Sequence, residues 1–347
     1  MKQILLFWMM LILGCIVKTE NTRSYQFVYE VDIESTEGKK LEVWLPVPQS
    51  NEVQTIYDIE IKTNGLQYTI EDEEMHHNKY LYINHKIGTT KPIKLTMSFN
   101  VIRKEHQNVH YININPHKYL GSYTMVPVHG IFDKIIIDNK LSKYNVRGIY
   151  DYVLDGMHYA KPKSFDNEYY HEPWLSDNGK YGIKGVNRDE VVILYKKAIK
   201  VGGDYTFGNG NSIYACDIGV GNCTDFHSYF MSLNRTIGIP ARFHMGFSIP
   251  DSEGGEVDGY HCWADYYEQD EGWYPVDISA ADKDPAKKDY FFGTVDNNRL
   301  EMMVGRDFKL KGYSPEIANL FIYPIIEVGD ETSSAFIKSF HFNNISQ

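Results

Sequence analysis

Alternating apolar residues dominate the chain from residue 24 to about residue 105. Apolar side chains occupy every second position in three runs, with mostly polar residues between them. The apolar positions are Tyr25, Phe27, Tyr29, Val31 and Ile33, then Leu41, Val43, Leu45 and Val47, and later Ile93, Leu95, Met97, Phe99 and Val101. A period of two predicts strands with one buried and one wet face. Because turn-forming pairs such as Glu37-Gly38 and Asn64-Gly65 separate the runs, residues 24–105 are predicted to form an antiparallel β-sandwich.

Helical spacing replaces alternation farther along the chain. Ile149, Val153 and Met157 share one face by four-residue steps, which predicts a helix over Ser142–His158. A second helix is predicted at 188–200, since acidic residues follow its start and lysines precede its end, as the helix dipole favours.

A third helix is predicted to begin at Cys223, after a glycine-rich approach. The apolar positions that follow fall at steps of four, three and four, which is one apolar stripe. They are Phe226, Phe230, Leu233 and Ile237, and Gly238-Ile239-Pro240 ends the helix. Cys223 therefore lies in the first turn.

The N-terminus has the pattern of a secretion signal. Lys2 is followed by a nearly continuous apolar run from Ile4 to Val17, which at about 14 residues is too short to span a bilayer comfortably. The run contains Ile12-Leu13-Gly14-Cys15, which resembles the bacterial lipobox, so Cys15 is predicted to carry lipid and attach the protein to a membrane. Ordinary signal cleavage nearby and an uncleaved anchor are the alternatives.

These patterns divide the chain into segments. The predicted division is a signal peptide at 1–15, a linker at 16–23, a sandwich domain with a connecting segment at 24–140, and a second domain at 141–347. The second domain is predicted to contain an insert at 160–210 and to end in further strands.

Charge and histidine spacing exclude several functions. The 347 residues carry a formal net charge of −11, which argues against binding nucleic acid through a basic surface. His106, His110, His117 and His129 lack a ligand motif with a neighbouring carboxylate or cysteine, so they are predicted to be surface or hydrogen-bonded residues. No metal and no cofactor are expected. The acidic loop 251–258 lacks EF-hand spacing and is predicted to be a solvated hairpin loop.

The cysteine count indicates a free thiol. The chain has Cys15, Cys216, Cys223 and Cys262, and three remain if Cys15 carries lipid. An odd number in an exported protein leaves one thiol unpaired, and Cys223 is predicted to be that thiol. Cys216 and Cys262 then either form a disulfide, which export permits, or are small buried thiols.

The position of Cys223 favours a reactive sulfur. A free thiol has a pKa of about 8.5, and the amides of a helix N-terminus or a nearby imidazolium lower it. The same amides can hydrogen-bond the oxyanion that forms when sulfur attacks a carbonyl. Asn209, Asn211 and Tyr214 are candidates for a second oxyanion donor, and the sequence selects none of them. Cys216 is the alternative nucleophile, but its surroundings lack the helix pattern.

His261 is the predicted base. Residues 260–267 alternate as a strand does, and residues 272–277 are typical of a turn that enters another strand. An adjacent antiparallel strand can place Asp277 beside His261, which would fix the imidazole tautomer and stabilise the imidazolium. His227, one helical turn after the cysteine, is the alternative base, but a base on the same helix is poorly aimed at the sulfur's open side.

Four blocks in this order resemble the transglutaminase-like superfamily. They are Cys223-Thr224-Asp225-Phe226, Gly238-Ile239-Pro240-Ala241-Arg242, His261-Cys262-Trp263-Ala264-Asp265-Tyr266 and Gly272-Trp273-Tyr274-Pro275-Val276-Asp277. The resemblance covers residues 212–293, and residues 24–105 are similar, less distinctively, to the β-rich domain that precedes this core in bacterial members. The resemblance to this superfamily implies a papain-like α+β core. Within the second block, Arg242 is expected to be a structural ion-pair partner.

The expected fold class is therefore α+β. An N-terminal antiparallel β-sandwich is followed by a transglutaminase-like core at 141–347, with the catalytic Cys223 at a helix N-terminus and with His261 and Asp277 on an antiparallel sheet. The resemblance implies acyl transfer through a thioacyl enzyme. Hydrolysis of a peptide or related amide is expected first, because water is always present in an open cleft.

Two alternatives to hydrolysis remain open from the sequence. One is protein cross-linking, in which an amine replaces water. The other is a non-catalytic binding module at the cell surface. The expected partner is a peptide or protein substrate, and the expected location is the bacterial cell envelope, as a lipoprotein facing the periplasm or cell surface or as a soluble periplasmic or secreted protein.

Overall fold

The structure is a computed structural model, and it describes residues 21–159, 200 and 203–345. The predicted signal peptide with Cys15 and most of the predicted insert at 160–210 lie outside the described residues. So does all of the predicted 188–200 helix except its last residue. No helix in the described ranges has both the length and the hydropathy of a bilayer span.

The described part of the chain is built mostly of strands, with short helices between them. In chain order the elements are β1 (Thr22–Ile33), β2 (Leu41–Val47), β3 (Gln54–Lys62), β4 (Thr69–Asp72), β5 (Lys79–His85), β6 (Ile93–Lys104), α1 (Ile131–Asp138), α2 (Val146–Gly156), β7 (His158–Tyr159), α3 (Ser212–Ile218), β8 (Val220–Gly221), α4 (Cys223–Thr236), β9 (Ala241–Ser248), β10 (Gly254–Glu256), β11 (Tyr260–Glu268), β12 (Gly272–Val276), α5 (Ile278–Lys283), β13 (Arg299–Val304), β14 (Ile325–Val328), β15 (Glu331–Thr332) and β16 (Phe336–Asn344), with 3₁₀ turns at Pro116–Tyr119 and Pro285–Lys287. The predicted mixture of helices and sheets is confirmed.

Three sheets organise these strands. A five-stranded sheet has the order β10-β16-β1-β6-β3, a second has the order β15-β14-β2-β5-β4, and a four-stranded sheet has the order β12-β11-β9-β13. All pairings within these three sheets are antiparallel, whereas the short β7 and β8 pair in parallel. Buried residues of all three sheets belong to one hydrophobic core.

C-terminal strands complete the N-terminal sheets. β16 pairs with β1 from Tyr25↔Asn344 to Ile33↔Phe336, and β14 pairs with β2. The predicted division into domains at residue 140 stays a prediction, but the sheets do not divide there. Distant strands cover edges of β1 and β2 whose backbone groups would otherwise lack partners, and a local pattern does not reveal such pairing.

The alternating burial predicted from the period-two patterns is found in β1 and β6 but not in β2. The predicted apolar positions of β1 and β6 are buried and alternate with more exposed residues, as expected. The prediction of a wet face on β2 was wrong, because all seven of its residues are buried. β2 lies at the centre of its sheet, where both of its faces are covered.

Helix α2 confirms the helix predicted over Ser142–His158, although it is shorter. It begins after Asn145, whose side chain accepts a 3.0 Å hydrogen bond from the N–H of Gly148. The hairpin loop predicted at 251–258 is largely exposed, as expected, but its centre is a strand, because Gly254–Glu256 forms β10 and pairs with β16.

The helix that begins at Cys223 is more deeply buried than one apolar stripe predicts. Every residue from Cys223 to Arg235 is buried, because α4 packs against β9 and β11 and is surrounded by α1, α2, α3 and α5. Several of its polar side chains bond the backbone of the same helix, although Oδ1 of Asn234 has no partner among the described residues. For example, the hydroxyl of Ser228 donates to the carbonyl of Thr224 over 2.7 Å. This packing fixes the helix N-terminus relative to the four-stranded sheet.

Candidate active site

Cys223 is the first residue of α4, as predicted. The preceding Asn222 caps the helix, and its Oδ1 accepts a 2.9 Å hydrogen bond from the N–H of Thr224. The N–H of Cys223 itself has no acceptor among the described residues. The first-turn amide closest to the sulfur therefore remains free to bind a ligand atom.

Asp225 ties the preceding loop to the start of this helix. Its carboxylate accepts hydrogen bonds from the N–H groups of Gly208, Gly210 and Asn222 at 2.9, 3.0 and 3.0 Å. Burial raises the pKa of Asp225 to about 7, although these three bonds oppose the shift. The loop is thereby held in place two residues from the thiol.

His261 lies on β11 and contacts Asp277, which follows β12 directly. The imidazole Nε2 donates a 2.6 Å hydrogen bond to Oδ2 of Asp277. β11 and β12 are adjacent antiparallel strands, as predicted. Asp277 lies one residue beyond the strand and caps α5, where its Oδ1 accepts from the N–H of Ala280 over 2.9 Å.

The thiol of Cys223 and the imidazole of His261 interact electrostatically, and each shifts the pKa of the other. Interactions with Cys262 and with His261 hold the pKa of the Cys223 thiol well below its usual value, against the effect of burial. Burial lowers the pKa of His261, but the Asp277 carboxylate more than offsets this and raises it. The pair is therefore biased toward thiolate and imidazolium.

His227 has both ring nitrogens engaged elsewhere. Its Nδ1 donates to the carbonyl of Cys223 over 2.7 Å, and its Nε2 accepts a 3.0 Å hydrogen bond from the N–H of Ile278. These contacts fix the neutral tautomer, and burial lowers the pKa of His227. Both ring nitrogens of His227 are therefore occupied, and the choice of His261 over His227 as the base stays a prediction.

Arg299 on β13 is a part of the site that the sequence did not reveal. Its Nη2 donates a 2.9 Å hydrogen bond to Oδ2 of Asp277, the oxygen that also accepts from His261. The positive charges of His261 and Arg299 keep the pKa of Asp277 well below its usual value, although burial opposes them. The only signal in the sequence was a pair of charged residues, Arg299 and Glu301, in an otherwise apolar strand.

The residues considered for a second oxyanion donor serve structural purposes. The amide nitrogen of Asn209 donates to Thr206 over 3.1 Å, and Asn211 caps α3 by accepting from the N–H of Tyr214 over 3.1 Å. The side chain of Tyr214 is completely buried.

The described cysteines are all free thiols, so Cys216 and Cys262 are not paired, and the alternative of small buried thiols holds for Cys262 but not for Cys216. Cys262 is fully buried, whereas Cys216 is half-buried. Contrary to the prediction, Cys216 does lie in a helix, α3. Burial raises its pKa to about 11, which makes it a poor nucleophile.

Solvent reaches the Cys223–His261 pair only slightly. Cys223 is 2 % exposed and His261 is 6 % exposed. Both residues therefore lie beneath the surface, and not on the floor of a wide groove.

A second polar cluster lies on the neighbouring strands. Arg242 forms a two-pronged ion pair with Asp265, as predicted for a structural arginine, and His244 donates to Glu301 over 2.8 Å. A cavity of about 620 Å³ borders Arg242, His244, Glu301 and Tyr111, but Cys223, His261 and Asp277 do not line it. This cavity is separate from the candidate site.

His106 departs from the surface or hydrogen-bonded role predicted for it. It is fully buried, and neither ring nitrogen has a hydrogen-bond partner among the described residues. Burial holds its pKa well below the usual value, so the ring is neutral. Within the described ranges, no three His, Cys, Asp or Glu side chains are grouped as metal ligands would be.

One region of the chain matches a known protein family. Residues 188–278, which include Cys223, His261 and Asp277, match the transglutaminase-like superfamily, and the resemblance seen in the sequence motifs is confirmed.

Individual relatives extend the similarity beyond that region. An uncharacterised protein of Haemophilus influenzae is 24% identical over 372 residues, covering 93% of this chain and 91% of the relative. A crystal structure from Cytophaga hutchinsonii, provisionally described as a cysteine protease, has a TM-score of 0.56 at 12% identity and covers 93% of this chain and 92% of that one. The periplasmic domain of TgpA from Pseudomonas aeruginosa matches at 14% identity over 78% of this chain and 94% of that one, with a TM-score of 0.34. The Cytophaga structure shows that the fold is shared.

Proposed function

We propose that the protein is a cysteine-dependent acyl-transfer enzyme that hydrolyses a peptide or related amide bond. Cys223 is the nucleophile, His261 is the general acid and base, and Asp277 orients His261. The observation that carries the proposal is the 2.6 Å hydrogen bond from His261 Nε2 to Asp277, together with the interaction by which His261 lowers the pKa of the Cys223 thiol. We infer that nucleophile, base and orienting carboxylate act as one unit.

The proposed reaction has two stages. The Cys223 thiolate attacks the carbonyl carbon of the substrate, and the N–H of Cys223 hydrogen-bonds the oxyanion that develops. His261 then gives its proton to the leaving amine, and a thioacyl enzyme remains. A water molecule, deprotonated by His261, attacks the thioester carbon and releases the acid and the free thiol.

Asp277 is suited to the orienting role because its own environment keeps it ionised. It accepts hydrogen bonds from Arg299, Ser279 and the N–H of Ala280 in addition to His261. A carboxylate fixed by several donors holds the imidazole in one orientation and stabilises its charged form.

A non-catalytic binding module is the second candidate, and the burial of the pair favours it. With Cys223 only 2 % exposed, a substrate carbonyl reaches the sulfur only if neighbouring groups move. Alkylation of the folded protein with iodoacetamide near neutral pH separates the two functions. The enzyme proposal expects labelling at Cys223 before unfolding, whereas a binding module expects labelling only after denaturation.

Peptide cleavage tests the enzyme proposal itself. The wild-type chain and Cys223→Ala are incubated with a mixture of synthetic peptides, and products are identified by mass spectrometry. Cleavage by the wild type alone supports hydrolysis. If a fluorescent primary amine is incorporated instead, the acyl acceptor is an amine and the protein cross-links. Equal cleavage by both proteins would reject Cys223 as the nucleophile.

We also propose that the protein acts in the bacterial cell envelope on peptide or protein substrates, attached through lipid on Cys15. The support is the signal-like run that ends near Ile12-Leu13-Gly14-Cys15. Mass spectrometry of the mature N-terminus tests this proposal. An acylated Cys15 is expected, and an unmodified N-terminus downstream of it would rule out the lipid anchor.

A further inference from the structure

A second thiol lies beside the proposed nucleophile. Cys262 follows His261 on β11, and its Sγ lies 3.8 Å from Oγ1 of Thr224, the residue next to Cys223. The two thiols also interact electrostatically, which lowers the pKa of Cys223 and raises that of Cys262. Because α4 packs against β11, the proximity of the two cysteines is part of the fold.

The packing of α4 against β11 brings the two cysteines to neighbouring positions. A disulfide needs Cβ atoms about 3.5–4.5 Å apart, and cysteines on packed neighbouring elements can reach that separation with little backbone movement. Both cysteines are free in the structure, so the pair is a reduced dithiol. Cys216 has its thiol against Tyr229 on another face of α4 and provides an internal comparison.

We propose that Cys223 and Cys262 form an oxidative modification site, at which a peroxide converts the dithiol into an intramolecular disulfide. The Cys223 sulfur attacks a peroxide oxygen and breaks the O–O bond. Cys223 becomes a sulfenic acid, and the departing hydroxide takes up a proton to form water. The Cys262 sulfur then attacks the Cys223 sulfur and breaks the S–O bond, and the Cys262 proton leaves with the hydroxide as a second water. Peroxide is reduced, two thiols are oxidised, and a dithiol reductant reverses the change.

The surroundings of the two cysteines support different roles in this sequence. The Cys223 thiol is held toward its reactive thiolate form, whereas burial and the neighbouring Cys223 charge raise the pKa of Cys262 well above its usual value. Cys223 is thus the sulfur that reacts first with peroxide, and Cys262 is the resolving thiol. The disulfide would block the nucleophile and protect it from irreversible oxidation.

Peptide mapping after oxidation tests this inference. The reduced full chain is exposed to increasing hydrogen peroxide, free thiols are trapped with N-ethylmaleimide after acid quenching, and the digest is analysed without reductant. The expected product links the Cys223 and Cys262 peptides with a loss of two hydrogen atoms, and dithiothreitol restores both thiols. Cys216→Ala should give the same product. Free Cys223 and Cys262, or a link that involves Cys216, would overturn the proposal.

The variant Cys262→Ala provides the matched control. Without the resolving thiol, Cys223 is expected to proceed to sulfinic acid, and dithiothreitol should no longer restore its labelling by iodoacetamide. Equal recovery in the wild type and Cys262→Ala would contradict the proposal. If the variant fails to fold, the wild-type peptide map still decides. Neither readout requires acyl-transfer activity, so the inference stands or falls separately from the proposed hydrolysis.

Discussion

Arg299 and His261 donate hydrogen bonds to the same oxygen, Oδ2 of Asp277, at 2.9 and 2.6 Å. Arg299 belongs to β13, at the edge of the four-stranded sheet, and His261 to β11, with β9 between them. The shared oxygen therefore connects the two strands that flank β9 to the start of α5.

Removing Arg299 should destabilise the fold. Arg299→Met leaves Asp277 buried with one cation fewer, and breaking a buried ion pair costs about 3–5 kcal/mol. Urea unfolding measures the change. The control is Lys79→Met, which breaks the exposed Lys79–Asp72 pair and should cost at most about 1 kcal/mol. Equal decreases in the free energy of unfolding of the two variants would contradict the structural importance assigned to Arg299.

His261 should control the reactivity of Cys223. In the wild type the pKa of Cys223 is lowered, so alkylation by iodoacetamide should stay fast below neutral pH. His261→Ala removes the imidazolium, and each unit by which the thiol pKa then rises lowers the rate at acidic pH about tenfold. His227→Gln can retain the contacts to Cys223 and Ile278, so it should change the pH dependence of the alkylation rate little. If His227→Gln shifted this pH dependence more than His261→Ala, the base would be wrongly assigned.

The residues near Cys223 were the most predictable part of the molecule. The cysteine at a helix start, the histidine on a strand and the aspartate at the end of the next strand follow from local patterns, and the structure places the imidazole of His261 against the carboxylate of Asp277. Arg299 was not predictable, because β13 reaches the site by pairing with β9, which lies about 50 residues earlier in the chain.

The sheets, too, were predictable only where the pattern is local. β1 and β6 alternate along their own sequences, so their buried faces were predictable. The pairing of β1 with β16 joins the two ends of the chain, and no local pattern specifies it. Complete burial of β2 and α4 likewise depends on neighbours that are distant in sequence.

Asp225 should make stability depend on pH. Its pKa in the folded protein is about 7, above the value of about 3.9 expected in the unfolded chain, so the fold favours the protonated form. Its contribution to stability is fully present below pH about 4 and is lost as pH rises through 7. Asp225→Asn removes this titration. The melting temperature of the wild type minus that of the variant should therefore decline as the pH rises from about 4 to about 7. A flat or rising difference would show that the folded pKa is not raised.

The hydroxyl of Tyr260 should stabilise the start of α4. It bonds Thr224 Oγ1 at 3.0 Å and accepts from the Asn222 amide at 3.2 Å, so it contacts residues on both sides of Cys223. Tyr260→Phe should lower the free energy of unfolding by about 1–3 kcal/mol, because it leaves mostly buried polar groups with fewer partners. Tyr274→Phe is the control, since the Tyr274 hydroxyl bonds an exposed Glu271 and its loss should cost less. A smaller loss for Tyr260→Phe than for Tyr274→Phe would contradict this role.

Trapping an acyl group on Cys223 tests the central claim most directly. The folded wild type is mixed briefly with p-nitrophenyl acetate, quenched in acid and mapped by mass spectrometry. An acetyl thioester on Cys223 that forms in the wild type, disappears with time in water and forms much more slowly in His261→Ala is the predicted result. Acetylation confined to other residues, or none at Cys223 while the chain remains folded, would contradict the assignment of Cys223 and His261 as nucleophile and base.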